Sequence, residues 1–141
     1  METPNQTRAT TEDQGKFLLR ALLAFMLLFH GVSKLLGGVD SIEGMLAKAG
    51  LPAFLAYGVY VGEVVAPFLI LVGLYTRLAA AIVAINMIVA VMLVHTSEFF
   101  TLSKSGGWAL ELQGMFFGTA IVLVFLGAGR YSIGGLHGRF N

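Results

Sequence analysis

Leu78-Ala-Ala-Ala-Ile-Val-Ala-Ile-Asn-Met-Ile-Val-Ala-Val-Met-Leu-Val94 contains a single polar residue, Asn86. A helix in a soluble bundle keeps a polar stripe for water, and this stretch has none. About 20 apolar residues are needed to cross a hydrocarbon core of ~30 Å. Three more runs of that kind flank it, which places spans at about 17–36, 53–75, 78–95 and 108–126. An isolated span must satisfy its own backbone hydrogen bonds in lipid, so each is expected to be a helix. The in–out alternation of a barrel strand is absent. The expected fold is all-α: an antiparallel bundle of four transmembrane helices. The first run is too long for the apolar segment of a signal peptide, and no small-x-small cleavage site follows Leu36, so it is expected to be retained.

Composition agrees. The 141 residues suit one domain; 57% are hydrophobic and 12% charged, with a mean hydropathy of +0.82. Soluble domains carry roughly 25% charged residues. A net charge of +1 supplies no basic field to attract nucleic acid. The absence of cysteine excludes disulfides, thiolate metal sites, cysteine-ligated iron–sulfur clusters and thiol redox chemistry within this sequence.

Around the spans, residues 1–14 are polar and rich in Thr and Gln, the composition of a disordered tail. Residues 15–132 form the membrane domain and 133–141 a C-terminal tail. Between the first two spans, Asp40 or Ser41 can cap a short helix. Ile42, Met45, Leu46 and Ala49 fall on one face, and Gly50 and Pro52 stop it. Such a helix can lie in the membrane interface. Tyr75-Thr76-Arg77 reads as a tight turn. The loop from Thr96 to Gly107 carries Phe99 and Phe100 toward the headgroups. Gly58-x-x-x-Gly62 and Gly114-x-x-x-Gly118 are small-xxx-small patterns, which serve close helix packing within the bundle or in a homo-oligomer.

With both termini on one side, that side holds Arg8, Lys16, Arg20, Arg77, Arg130 and Arg139, and the other Lys34, Lys48 and Lys104. The basic excess places both termini in the cytoplasm of a cell with a bacterial-type inner membrane.

Ionisable side chains within a span cost ~3 kcal/mol on insertion scales and need a partner or a purpose. Glu63 lies near the middle of the second span, four residues before Pro67. Proline has no N–H, so the Glu63 carbonyl is expected to be left open beside its carboxyl. The first span offers donors in His30 and Lys34, one turn apart on one face, with Lys34 the better match for Glu63. His95 closes the third span at the same end, and Glu111 and Gln113 open the fourth. They lie about 200° apart around a helix, so only one can face inward, and Glu111 is the candidate. The expected polar cluster is therefore His30, Lys34, Glu63, His95 and Glu111. Asn86, deeper, is expected to make an interhelical hydrogen bond. Arg20 and Arg77 are expected to anchor the cytoplasmic face, with Arg77 capping carbonyls of the second span. No metal site is expected, since the paired Glu-x-x-His pattern of di-iron bundles is missing. Bis-histidine haem through His30 and His95 rests on two lone histidines.

Phe29-His-Gly-Val-Ser-Lys-Leu35, Gly62-Glu63 with Leu71-Val-Gly-Leu-Tyr-Thr-Arg-Leu-Ala79, Gly106-Gly-Trp-Ala-Leu-Glu111 and Gly127-Ala-Gly-Arg-Tyr-Ser132 together resemble the motifs of the DoxX family, in order and spacing, over nearly the whole chain beyond its N-terminal tail. The family exit usually reads Gly-Pro-Gly and ends in Ser-Leu-Asp; here Gly127-Ala-Gly and Ser132-Ile-Gly depart from it. The resemblance implies a four-helix membrane protein of a kind often described as a quinone-linked oxidoreductase subunit. It implies Lys34, Glu63, Arg77 and Glu111 as motif positions without assigning them catalytic roles, since a shared fold does not transfer activity.

Two classes of function follow. One is a component of a quinone-linked membrane oxidoreductase, in which His30 and Lys34 donate to quinone oxygens, Glu63 relays protons and a partner protein supplies electrons. The other is a non-enzymatic scaffold, accessory subunit or binder of a small apolar ligand, in which the polar cluster is structural.

Overall fold

The computed structural model describes residues 4–135 and 137–141, with side chains described from Thr11 onward. The described residues are predominantly helical and contain no β-strand, only an isolated bridge between Leu102 and Trp108.

Helix α1 runs Pro4–Gly37, 34 residues. It reaches far beyond the expected first span. Residues 4–14 are helical instead of forming a disordered tail, and residues 1–3 lie outside the described residues. One physical reason is Asp13. Its buried carboxylate accepts from the Arg130 backbone N–H at 3.1 Å and pairs with Arg130 Nε at 3.2 Å, which gives this polar segment a tertiary anchor.

Helix α2 is Asp40–Lys48. It buries Leu46 with Ile42 packed beside it, as the apolar spacing predicts. Its N-cap position is Val39, which is buried and makes no side-chain cap, so neither Asp40 nor Ser41 has that role. Gly50 ends the segment in a left-handed conformation.

Helix α3, Ala53–Val72, is irregular. A 3₁₀ turn (Ala53–Tyr57) and a short α segment lead into a π-turn, Val61–Val65, before regular helix resumes at Ala66–Val72. Within the π-turn the Ala66 N–H reaches the Val61 carbonyl, five residues back. Pro67 follows at the second position of the regular segment, where a missing N–H is tolerated. Gly73, at φ 72°, ends α3 with its own N–H and that of Leu74 both on the Leu69 carbonyl. The turn is thus Gly73–Tyr75, two residues earlier than expected, and Thr76 and Arg77 already belong to α4, Thr76–Val94.

Helix α5 is Glu111–Leu126, 16 residues or roughly 24 Å. It starts three residues later than the expected fourth span. Trp108 is held in the preceding loop by its bridge to Leu102 and by an indole N–H bond to the Phe99 carbonyl at 2.7 Å. By length and composition, α1, α3 and α4 are long and apolar enough to cross a membrane, while α5 is shorter.

The core is assembled from all four apolar helices: Leu23 and Leu27 of α1, Ala66 and Ile70 of α3, Val83 and Met87 of α4, and Phe116 and Leu123 of α5. Large apolar side chains also cover the outside, among them Phe25, Phe29, Phe68, Met92 and Phe125. A surface this apolar around a packed core is suited to lipid.

One end of the molecule is closed by arginines. Arg20, fully buried, donates to the Ile70 carbonyl at 3.0 Å and to the Tyr131 carbonyl, and its guanidinium stacks over Phe17 at 5.6 Å. Arg77 donates to the carbonyls of Val124 at 2.8 Å, Phe125 at 2.9 Å and Asn141 at 2.9 Å. The expected partner of Arg77 was therefore wrong. Arg20 serves the C-terminal carbonyls of α3, and Arg77 those of α5. Asn141 packs against the same end, where its side chain accepts from Thr76 Oγ1 at 2.9 Å and donates to the Gly135 carbonyl at 2.7 Å.

Candidate functional site

At the other end, below α2, lies a cavity of about 880 Å³. This is within the usual size range of ligand pockets. Its walls are mostly aliphatic, and α2 contributes Ser41, Ile42, Met45 and Leu46. The polar lining is short: beside Ser41 it comprises His30, Lys34, Glu63, Asn86, His95 and Gln113.

Lys34 and Glu63 form an ion pair, Nζ to Oε2, with the Glu63 side chain 8% exposed and that of Lys34 30%. Local structure holds both. The Lys34 carbonyl accepts from the Tyr60 hydroxyl at 3.2 Å and from the Gly38 N–H at 2.9 Å, which fixes the end of α1 against α3. Glu63 sits within the π-turn, and such turns re-aim side chains at functional sites. A Cβ at Gly31 would collide with the Glu63 carbonyl, and one at Gly62 with the Asn86 side chain. Two glycines thus let α1 and α4 press on the π-turn. The Glu63 carbonyl, four residues before Pro67, lies against Gly31 of α1 at the place where a donor is expected.

His30 lines the cavity with its ring edge-on to Phe116, the centroids 5.9 Å apart. His95 also lines it. Its Nδ1 lies 2.9 Å from Glu98 Oε2, and its Nε2 lies 3.4 Å from the Gln113 side-chain nitrogen. His95 therefore stands between a cavity-lining amide and a half-exposed carboxylate.

Glu111 does not join the cluster. It is exposed, and its carboxylate folds back over Gly107. Gln113 lies three residues before the buried Phe116, on the same face of α5, and takes the inward position of the first turn. Four of the five expected cluster residues, His30, Lys34, Glu63 and His95, share the cavity, and Arg77 belongs to the opposite end. Among the described residues the Asn86 amide nitrogen is buried and has no hydrogen-bond partner, so the expected interhelical bond from it is not made. Sequence reasoning also missed Glu98, which the spacing His95-x-x-Glu98 could have signalled.

The lining can hold an apolar molecule and offer it a hydrogen-bond donor, the Lys34 ammonium of α1, beside a carboxylate. Among the described residues, no three His, Asp or Glu side chains converge as a metal-ligand set.

The DoxX family model matches residues 15–96, more than half of the sequence. The chain belongs to the DoxX family. It is a membrane protein of that family, and the match carries the Lys34 and Glu63 motifs and the α3–α4 turn but stops short of the expected later motifs around Trp108 and Gly127. An uncharacterized protein of Haemophilus influenzae is 35% identical over 119 residues, covering 82% of this chain and 84% of its own length. A Bacillus subtilis protein named "Putative oxidoreductase CatD" is 32% identical over 86 residues, 61% of this chain and 63% of that protein. No solved structure matches the chain.

Proposed function

We propose that this DoxX-family protein is the quinone-binding component of a membrane oxidoreductase system. One observation carries the reading: the Lys34–Glu63 ion pair lies in the wall of a largely apolar cavity that also presents His30 and His95. The oxidoreductase name of the Bacillus subtilis relative points the same way. In this reading the chain crosses an inner membrane four times, α5 included, with alternating direction and both termini in the cytoplasm. The cavity then opens toward the outer half of the bilayer, with α2 lying in the interface. Electrons come from a partner protein.

A bound quinone supplies two-electron, two-proton chemistry. The chain's own residues bind, orient and move protons. The aliphatic walls exclude water and receive ring and tail. Lys34 has three donors, of which Glu63 occupies one, so the ammonium retains donors for a carbonyl oxygen. Glu63 holds that ammonium in place and can exchange a proton with it. His30 is a second group able to give or take a proton at the ring oxygen. His95 and Glu98 lead from the cavity wall to a half-exposed carboxylate, a short path for protons to the aqueous side.

The test is equilibrium binding of decylubiquinone to the protein in lipid nanodiscs. Saturable binding, weakened about tenfold by Lys34→Met as expected for loss of a charged hydrogen bond, supports the reading. Binding no greater than that of empty nanodiscs refutes it.

A further inference from the structure

Asn86 is the polar group of the cavity that nothing in the protein explains. It projects from the middle of α4, in a run otherwise free of polar side chains. Its amide packs across Gly62, where any Cβ would overlap it, and so lies beside the π-turn that carries Glu63. It lines the same cavity as Lys34 and His30. Yet its amide nitrogen is buried and has no hydrogen-bond partner. An amide donor left unpaired in an apolar surrounding is destabilising, whereas an aliphatic side chain of similar size there is not. The empty protein therefore carries an unmet donor at the level of its ion pair.

We propose that Asn86 is a ligand-recognition residue that donates its amide N–H to a carbonyl oxygen of the molecule held in the cavity. The inference rests on the reading of that cavity as a quinone site and assigns it a second anchor. A ring with two carbonyl oxygens needs two donors, and Lys34 from α1 and Asn86 from α4 supply them from different helices. The terminal torsion of asparagine is broad and two-fold, so the amide can turn toward the ligand. An amide also carries an acceptor oxygen. Asn86 can therefore donate to a quinone carbonyl and accept from a quinol hydroxyl, which retains both forms of the ring. A lysine ammonium, with donors only, cannot do the second.

The experiment compares the wild type with Asn86→Leu and Asn86→Ser in detergent, measuring Tm alone, with decylubiquinone, and with decylbenzene, which has the tail and ring but no carbonyl. For the empty protein, Asn86→Leu is expected to melt at or above the wild-type temperature, because the unmet donor is gone. Decylubiquinone is expected to bind Asn86→Leu three- to tenfold more weakly, the effect of one neutral hydrogen bond. Asn86→Ser, which keeps a donor without the bulk, falls between. Decylbenzene binds all three alike. Two results overturn the inference while leaving the quinone reading intact: equal decylubiquinone affinity in all three proteins, or empty Asn86→Leu and Asn86→Ser both melting well below the wild type, which would show the amide satisfied within the protein. A wild type that binds decylbenzene and not decylubiquinone overturns the quinone reading and the inference with it.

Discussion

Lys34 and Glu63 bind α1 to the π-turn of α3 through an ion pair whose carboxylate is almost wholly buried and whose ammonium borders the cavity. Removing one partner of such a pair strands the other charge, at a cost of ~3 kcal/mol or more. Lys34→Met and Glu63→Gln are each expected to lower thermal stability in detergent. The double variant should be less damaged than the sum by at least ~1 kcal/mol, the signature of direct coupling. Simple additivity would show that the two side chains do not act as a pair.

Close approach at Gly31 underlies that geometry. A methyl group there meets the Glu63 carbonyl and the Val64 side chain, both held by packing. Gly31→Ala is expected to destabilise by ~1–3 kcal/mol, as overpacking does. Gly15, also helical, has open space around it, so Gly15→Ala should be neutral or stabilising by up to ~1 kcal/mol. Thermal melts of the two variants check the contrast, and equal behaviour would contradict the packing.

Arg20 holds carbonyls of α3 and of the segment that follows α5 with one fork. A lysine has the charge without the fork. Arg20→Lys should therefore destabilise by ~1–3 kcal/mol and not restore the wild-type Tm. Limited proteolysis should then cut first in the tail after Gly127. A Tm equal to wild type would show that charge alone suffices.

Glu111 and Gln113 give opposite expectations despite their adjacency. Glu111 lies over the Gly107 loop, whereas Gln113 contacts His95 in the cavity wall. Glu111→Gln should leave decylubiquinone affinity unchanged within about twofold, and Gln113→Leu should weaken it about threefold through the displaced His95. The reverse ranking would put Glu111 back in the site.

Glu63 and Lys34 were legible as partners because a charge in mid-span is so costly that pairing is nearly obligatory. The four apolar runs were legible for the same kind of reason: hydrophobic length is a local property. What was hidden depended on non-local neighbours. Arg77 was known to sit at a helix end, but only the packed bundle shows that its reach leads to α5 while Arg20 serves α3. The choice between Glu111 and Gln113 turned on which face of α5 is buried, and that face is set by the packing of Phe116, Ala120 and Leu123 against the other helices. The N-terminal segment read as a polar tail because the anchor of Asp13 lies beyond residue 129 in sequence. Pro67 announced an irregular backbone near Glu63, but proline does not specify a π-turn.

In the proposed function the cavity below α2 holds a quinone ring between Lys34, Glu63 and His30. Photolabelling with an azidoquinone in native membranes, followed by peptide mapping, tests it most directly. The predicted result is saturable label on the cavity-lining segments around His30–Lys34 and Val59–Glu63, competed by excess decylubiquinone and strongly reduced in Lys34→Met. Label confined to lipid-facing residues such as Phe25, Phe68 and Phe125, unaffected by competitor or substitution, would contradict it.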